Sequence, residues 1–171
     1  GMKVVVFGLI TPSVPRWLPE SLYHGIRFDN MVSTARKWMP VMQAEKPDLI
    51  VGLFHSGMGS ETDRGDDENS TLAVAMNVPG FDVIFCGHDH RQDMKEVTDS
   101  EGNRVLVLDG GSRAEAVMNV TVTVGKNSDG TNEPVLSGRI IRMNTLPESA
   151  EFIKRYSNAS EKVKEYTSEI I

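Results

Sequence analysis

Three short apolar runs, Val4 to Ile10, Leu49 to Phe54 and Phe81 to Cys86, hold few polar side chains and no Lys, Arg or Glu. Runs this short and this β-branched read as strands buried in a sheet. The first predicted strand is Lys3 to Leu9, ended by Thr11-Pro12. Asp29 is placed to cap a helix running to about Glu45, with Met31, Val32, Ala35, Trp38, Met39 and Met42 at helical spacing. Pro40 should kink or break that helix. Pro47 stops it, and Asp48 to Phe54 is the second strand. Strand, helix and strand over these distances make a parallel βαβ unit with a right-handed crossover. Ser70 to Val78 is then a short helix, and Phe81 to Cys86 the third strand.

After Gly87 the pattern changes. Arg104 to Leu108, Ala116 to Val124 and Val135 to Met143 read as strands joined by hairpin-type connections. Residues 119–124 alternate cleanly, so that strand has one wet face. Asn127-Ser128-Asp129-Gly130 reads as a turn. From Pro147 a last helix carries a stripe at Phe152, Tyr156, Ala159, Val163, Tyr166 and Ile170, and is expected to dock on something. The expected class is α/β, leaning to α+β, with a parallel βαβ core continuing into antiparallel strands.

The 171 residues, 39% hydrophobic and 25% charged, are enough for one core. The net charge of −6 disfavours binding a nucleic-acid polymer. Local phosphate chemistry stays open, because a bound metal reverses the sign of a pocket. The single cysteine, Cys86, lies in an apolar run and reads as a buried structural thiol rather than a nucleophile. No apolar run is long enough to span a membrane. Gly1 before Met2 looks like a cloning scar, and a cut start would have removed any leader.

Chemistry concentrates at strand ends. Of His24, His55, His88 and His90, the last three directly follow predicted strands. In open parallel sheets ligands bind at the carboxyl ends of strands. Imidazoles gathered there suit zinc, iron, nickel or copper. His24, in a proline-rich loop, reads as an ordinary loop residue. The loop from Ser60 to Glu68 carries Glu61, Asp63, Asp66, Asp67 and Glu68 and reads as solvated and flexible. Arg64 in that loop and Arg113 further on are weak candidates to meet a phosphate, against the commoner reading as plain surface arginines.

Val51-Gly52-Leu53-Phe54-His55-Ser56-Gly57, followed by Gly87-His88-Asp89-His90, resembles the calcineurin-like metallophosphoesterases. The likeness is to the 5′-nucleotidase and 2′,3′-cyclic-nucleotide 2′-phosphodiesterase branch. Val6 to Pro12, Glu68-Asn69, Leu108 to Ser112 and the helix from Pro147 resemble further parts of that domain. The resemblance implies a site for two divalent ions, zinc, manganese, iron or similar. His55 and His88 would bind one ion and His90 the other, with Asp89 pointing away. It also implies one half of a four-layer αββα sandwich, nucleotide phosphoester substrates and a periplasmic or extracellular location.

The family's earlier motifs, Asp-x-His, Gly-Asp and Gly-Asn-His, have no counterpart in the right order; Gly65-Asp66 follows His55, and Gly102-Asn103 precedes Arg104. The expectation is therefore the second half of a metallophosphatase domain over 1–146, with 147–171 leading to an absent nucleotidase domain. Such a chain should be weak or inactive, with partial or no metal occupancy. It should associate with itself or with the missing half. Two other readings are a mononuclear zinc hydrolase on His55, His88 and His90, and a non-catalytic metal-binding or interaction module.

Overall fold

The computed structural model describes residues 1–126 and 132–168. The Asn127 to Gly130 turn and Ile170 of the last stripe lie outside the described residues. The chain divides into two compact units, Gly1–Ile141 and Arg142–Ile171.

In the first unit β1 (Val4–Ile10), β2 (Leu49–His55), β3 (Val83–Gly87) and β5 (Arg104–Gly110) run parallel, and β4 (Gln92–Thr98) pairs antiparallel with β5. The sheet order is β1-β2-β3-β5-β4. The parallel core thus has four strands, one more than the apolar runs suggested, because β5 adds to β3 in register Val83 with Leu106. β6 (Ala116–Lys126) and β7 (Asn132–Arg142) form a separate two-stranded sheet. Arg139 Nε donates to Asn119 Oδ1, and Thr123 Oγ1 to the Val135 carbonyl. Positions rising on one strand therefore meet positions falling on the other, which is an antiparallel hairpin.

The two faces of the main sheet are covered differently. Helices α2 (Met31–Ala44) and α3 (Thr71–Asn77) close one face over Met31, Ala35, Met39, Leu72, Val74, Phe81 and Ile84, all buried. On the other face Leu49, Val51, Val83, Leu106 and Leu108 pack beneath Met118, Val120, Val122 and Leu136 of the hairpin. The hairpin leaves the matching face of β1 largely uncovered. That strand alternates between half-buried Val5, Phe7 and Leu9 and exposed Val4, Val6 and Ile10. The sequence reading expects a buried strand here. It is instead an edge strand with one uncovered apolar face, continued by Leu53 on β2, itself 50% exposed.

Local chemistry explains the helix ends. The cap of α2 is Asn30, not Asp29: Asn30 Oδ1 accepts the Ser33 N–H at 2.8 Å, worth about 1 kcal/mol. Asp29 pairs with Arg27 instead. Pro40 lies inside α2 without ending it. The segment after β1 forms one short helical turn, α1 (Val14–Trp17), and a 3-10 turn at Glu20–Leu22.

In the second unit α4 (Ala150–Ser168) carries Phe152, Ile153, Tyr156, Val163 and Tyr166 exposed. Its φ/ψ departs from helical values at Tyr156. None of the described helices is long and apolar enough to cross a membrane.

Candidate metal centre

β2 and β3 are neighbours in parallel register, with His55 opposite Gly87. Their carboxyl ends therefore deliver His55 and the Gly87-to-His90 turn to one rim of the sheet. His88 and His90 hold φ of 151° and 62°. Such values cost a non-glycine residue about 1–3 kcal/mol each and concentrate at functional sites.

The two histidines on adjacent strands meet. His88 Nδ1 stands 3.2 Å from His55 Nε2, and the rings lie edge to face with centroids 4.9 Å apart. Two nitrogens ligating one tetrahedral zinc at about 2.0–2.1 Å stand about 3.3 Å apart. The separation therefore fits two ligands of a single cation. His90 is exposed and makes no hydrogen bond with either ring among the described residues. No group of three or more His, Cys, Asp or Glu among the described residues is disposed to hold a metal. The residues fit one side of a cation site, not a closed three-histidine cage.

Two neighbours of His88 carried no such role in the sequence reading. Glu68 Oε1 lies 2.8 Å from His88 Nε2. The Trp17 ring stacks on His88 at 5.0 Å and 26°. In the sequence Glu68 stands out as part of the Glu-Asn motif and of the acidic loop, neither of which points to His88. Trp17 lies far from His88 in sequence, and only its position after a strand end pointed to the rim.

The loop that carries Glu68 is fastened, contrary to the expectation of a free one. Ser56 Oγ donates to the Glu68 carbonyl and accepts the Ser70 N–H. Gly57 N–H donates to Asn69 Oδ1. Asn30 Nδ2 donates to the Arg64 carbonyl and to Asp66 Oδ1, tying the loop to the start of α2. Gly59 has φ 73°, and a Cβ there would sit 1.7 Å from the Asn69 carbonyl oxygen, so only glycine fits.

Beside the rim is a cavity of about 280 Å³ whose lining includes Asn69, Asp89, Arg91, Lys95 and Asp109. The cations on it are Arg91 and Lys95; the weak candidates Arg64 and Arg113 are both exposed and do not line it. Asp89 accepts the Arg91 N–H and lies against Gly57. Cys86 is buried, and burial raises its thiol pKa, with the Asp109 charge adding to the shift. That suits an inert structural thiol.

Asp109 is fully buried, and burial pushes its carboxyl up to about 6 against the Gly111 N–H that favours the charged form. Below about pH 4 the folded and unfolded chains both hold this proton. Between about 4 and 6 only the folded chain holds it, so stability from this group falls as pH rises. Asp109→Asn should match the wild type in thermal melts near pH 4 and exceed it by about 1–2 kcal/mol at pH 8. A constant difference across that range would refute the assignment.

No family model matches the chain. A 2′,3′-cyclic-nucleotide 2′-phosphodiesterase/3′-nucleotidase from Yersinia enterocolitica is 33% identical over 89 residues, 52% of this chain and 14% of that protein. The chain thus spans a small part of the curated relatives it matches. Among solved structures, the calcineurin-like phosphoesterase YfkN from Bacillus subtilis superposes with a TM-score of 0.74 at 21% identity, over 96% of this chain and 53% of that one. A 5′-nucleotidase precursor from Thermus thermophilus gives 0.71 at 23% identity, over 96% and 32%. At these identities the two structures speak to the fold. The homologues and structural neighbours of this chain include calcineurin-like phosphoesterases of the 5′-nucleotidase and 2′,3′-cyclic phosphodiesterase kind, with sequence matches over about half its length.

Proposed function

We propose that the chain contributes the His55, His88 and His90 side of a divalent-metal site that hydrolyses nucleotide phosphoesters, of 5′-nucleotidase or 2′,3′-cyclic phosphodiesterase type. The observation that carries this reading is the convergence of His55 Nε2 and His88 Nδ1 at adjacent strand ends. The sequence relatives, which include 2′,3′-cyclic-nucleotide phosphodiesterases, support the same chemistry.

His55 and His88 would hold one divalent ion, and His90 a second. Bound ions of this kind supply a hydroxide nucleophile at neutral pH and offset charge on the phosphoryl oxygens. The chain's own part is to fix two imidazole nitrogens on a rigid sheet edge. It also presents Arg91 and Lys95 beside them, on a cavity that Asp89, Asp93 and Asp109 line as well, so that a phosphate's negative charge is favoured there only once cations are bound. Further ligands come from outside the described residues, since no group of three assembles within them. The uncovered face of β1 and β2 leads straight to the rim, Ile10 lying opposite His55. The reading therefore includes a second layer packed on that face, from another copy or a complementary half-domain, bringing the missing ligands.

The test has two arms. The chain alone, with manganese or zinc, should hydrolyse bis(p-nitrophenyl) phosphate and 2′,3′-cyclic nucleotides barely above buffer. Turnover in the ordinary enzyme range, about 1–1,000 per second, would overturn the one-sided site. A chimera adding the part of the Bacillus subtilis domain that this chain does not overlay should gain metal-dependent hydrolysis and lose it with His88→Ala. No activity from a folded chimera on any of these substrates would refute the phosphoesterase reading.

A further inference from the structure

The His88 ring is held on three sides, and the three contacts are chemically unequal. On its Nε2 side stands the Glu68 carboxylate at 2.8 Å. On its face lies Trp17. Its Nδ1 points at His55 Nε2, 3.2 Å away. A carboxylate only accepts hydrogen bonds, so the ring nitrogen facing it must carry the hydrogen. A neutral imidazole has one N–H. With that hydrogen on Nε2, the Nδ1 lone pair is left bare and turned towards His55.

The geometry points to Glu68 and Trp17 as positioning residues that select which nitrogen of His88 ligates. The inference rests on the metal-site reading above and deepens it. Glu68 fixes the tautomer and the orientation of the ring. Trp17 fixes the plane of the ring, so that the bare nitrogen cannot swing away from His55. Both are held in place by backbone. Thr11 N–H donates to the His55 carbonyl at 2.9 Å, so the segment leading to Trp17 starts from the rim itself. The turn of α1 closes through the Arg16 N–H to the Ser13 carbonyl and the Leu18 N–H to the Val14 carbonyl. Glu68 is anchored through its own carbonyl by Ser56 Oγ, from the residue after His55. The two positioning side chains are thus tied by backbone to the strand end that carries the other ligand.

The Glu68 side chain is 45% exposed and the Trp17 residue 44% exposed, so replacing either should leave the core intact. The first measurement needs no metal. Two-bond nitrogen–proton correlations of the imidazoles in the metal-free chain, at about pH 8.5 where an ordinary imidazole is neutral, should show the Nε2–H form for His88. The His88 signals are assigned by their loss in His88→Asn. Glu68→Ala should populate the other tautomer, and Glu68→Gln, whose carbonyl still accepts, should largely restore the first.

The second measurement is zinc or cobalt affinity. It should fall about ten- to a hundredfold in Glu68→Ala and recover partly in Glu68→Gln. It should also fall in Trp17→Ala and recover in Trp17→Phe. An Nδ1–H tautomer in the wild type, or a tautomer indifferent to Glu68, overturns the inference. Equal affinities across the Trp17 series overturn the part assigned to Trp17. If the tautomer obeys Glu68 but neither the wild-type chain nor the chimera described above takes up a cation, the metal reading falls and the hold of Glu68 on the ring stands.

Discussion

His55→Ala combined with His88→Ala should abolish cation uptake while leaving the fold untouched. His55 is exposed and the His88 side chain is 17% exposed, so neither truncation opens a cavity in the packed interior. The melting temperature should move by no more than about 0.5 kcal/mol equivalent. The loss of affinity should be well beyond the ten- to hundredfold that a hydrogen-bonding neighbour of a ligand costs, because the donor nitrogens themselves are removed. Calorimetric titration with zinc, or the visible spectrum of bound cobalt, reads this directly. Unchanged affinity in the double variant would place the cation elsewhere and leave the 3.2 Å nitrogen pair as an ordinary hydrogen bond. His90→Ala alone should lower the stoichiometry rather than the affinity at the His55–His88 pair, because His90 does not touch that pair.

The second large effect concerns the uncovered face. Val4, Val6, Ile10 and Leu53 are 46–56% exposed on one side of the sheet, and β1 contains neither a charge nor a proline. Edge strands without such protection pair with other chains, and contiguous exposed apolar patches mark association surfaces. The wild-type chain should therefore sediment as a dimer or larger species whose mass depends on concentration. Val6→Lys with Leu53→Lys should convert it to a monomer, since both positions already face solvent and a lysine ammonium there resists desolvation. A wild-type chain that stays monomeric at all concentrations would remove self-association and leave only the complementary half-domain.

Much of the architecture was legible because buried parallel strands are written as apolar runs. β2 and β3 were found that way, and their ends put His55 and His88 on one rim. The same signal misled at β1: composition records that a strand is apolar, not whether anything yet covers it. β4 escaped because Gln92-Asp93-Met94-Lys95-Glu96-Val97-Thr98 is almost wholly exposed at the sheet edge, with no apolar period to announce it. Its place is fixed by backbone pairing to β5 and by Asp99, whose Oδ1 accepts the Glu101 and Asn103 N–H groups in the connecting turn. At the site, motif spacing gave the candidate ligands but not what steadies them. Glu68 and Trp17 reach His88 through space, from a loop and a turn with no spacing rule of their own. Asn30 over Asp29 as helix cap was a contest between adjacent good caps, decided by Asn30 also serving the loop at Arg64 and Asp66.

The strand order also has a kinetic side. Every parallel pair joins residues far apart in the chain, Val4 with Leu49, Val51 with Val83, Val83 with Leu106, whereas β4 and β5 meet across a short turn. Local pairs close at little entropic cost and distant ones must close long loops before any contact rewards them. The β4–β5 hairpin is thus the natural early structure. β1, with a neighbour on one side only, is the natural last arrival and the first to detach. Detachment of β1 would free the Thr11 N–H from the His55 carbonyl and carry Trp17 with it. Assembly of the rim and completion of folding are in that sense one event.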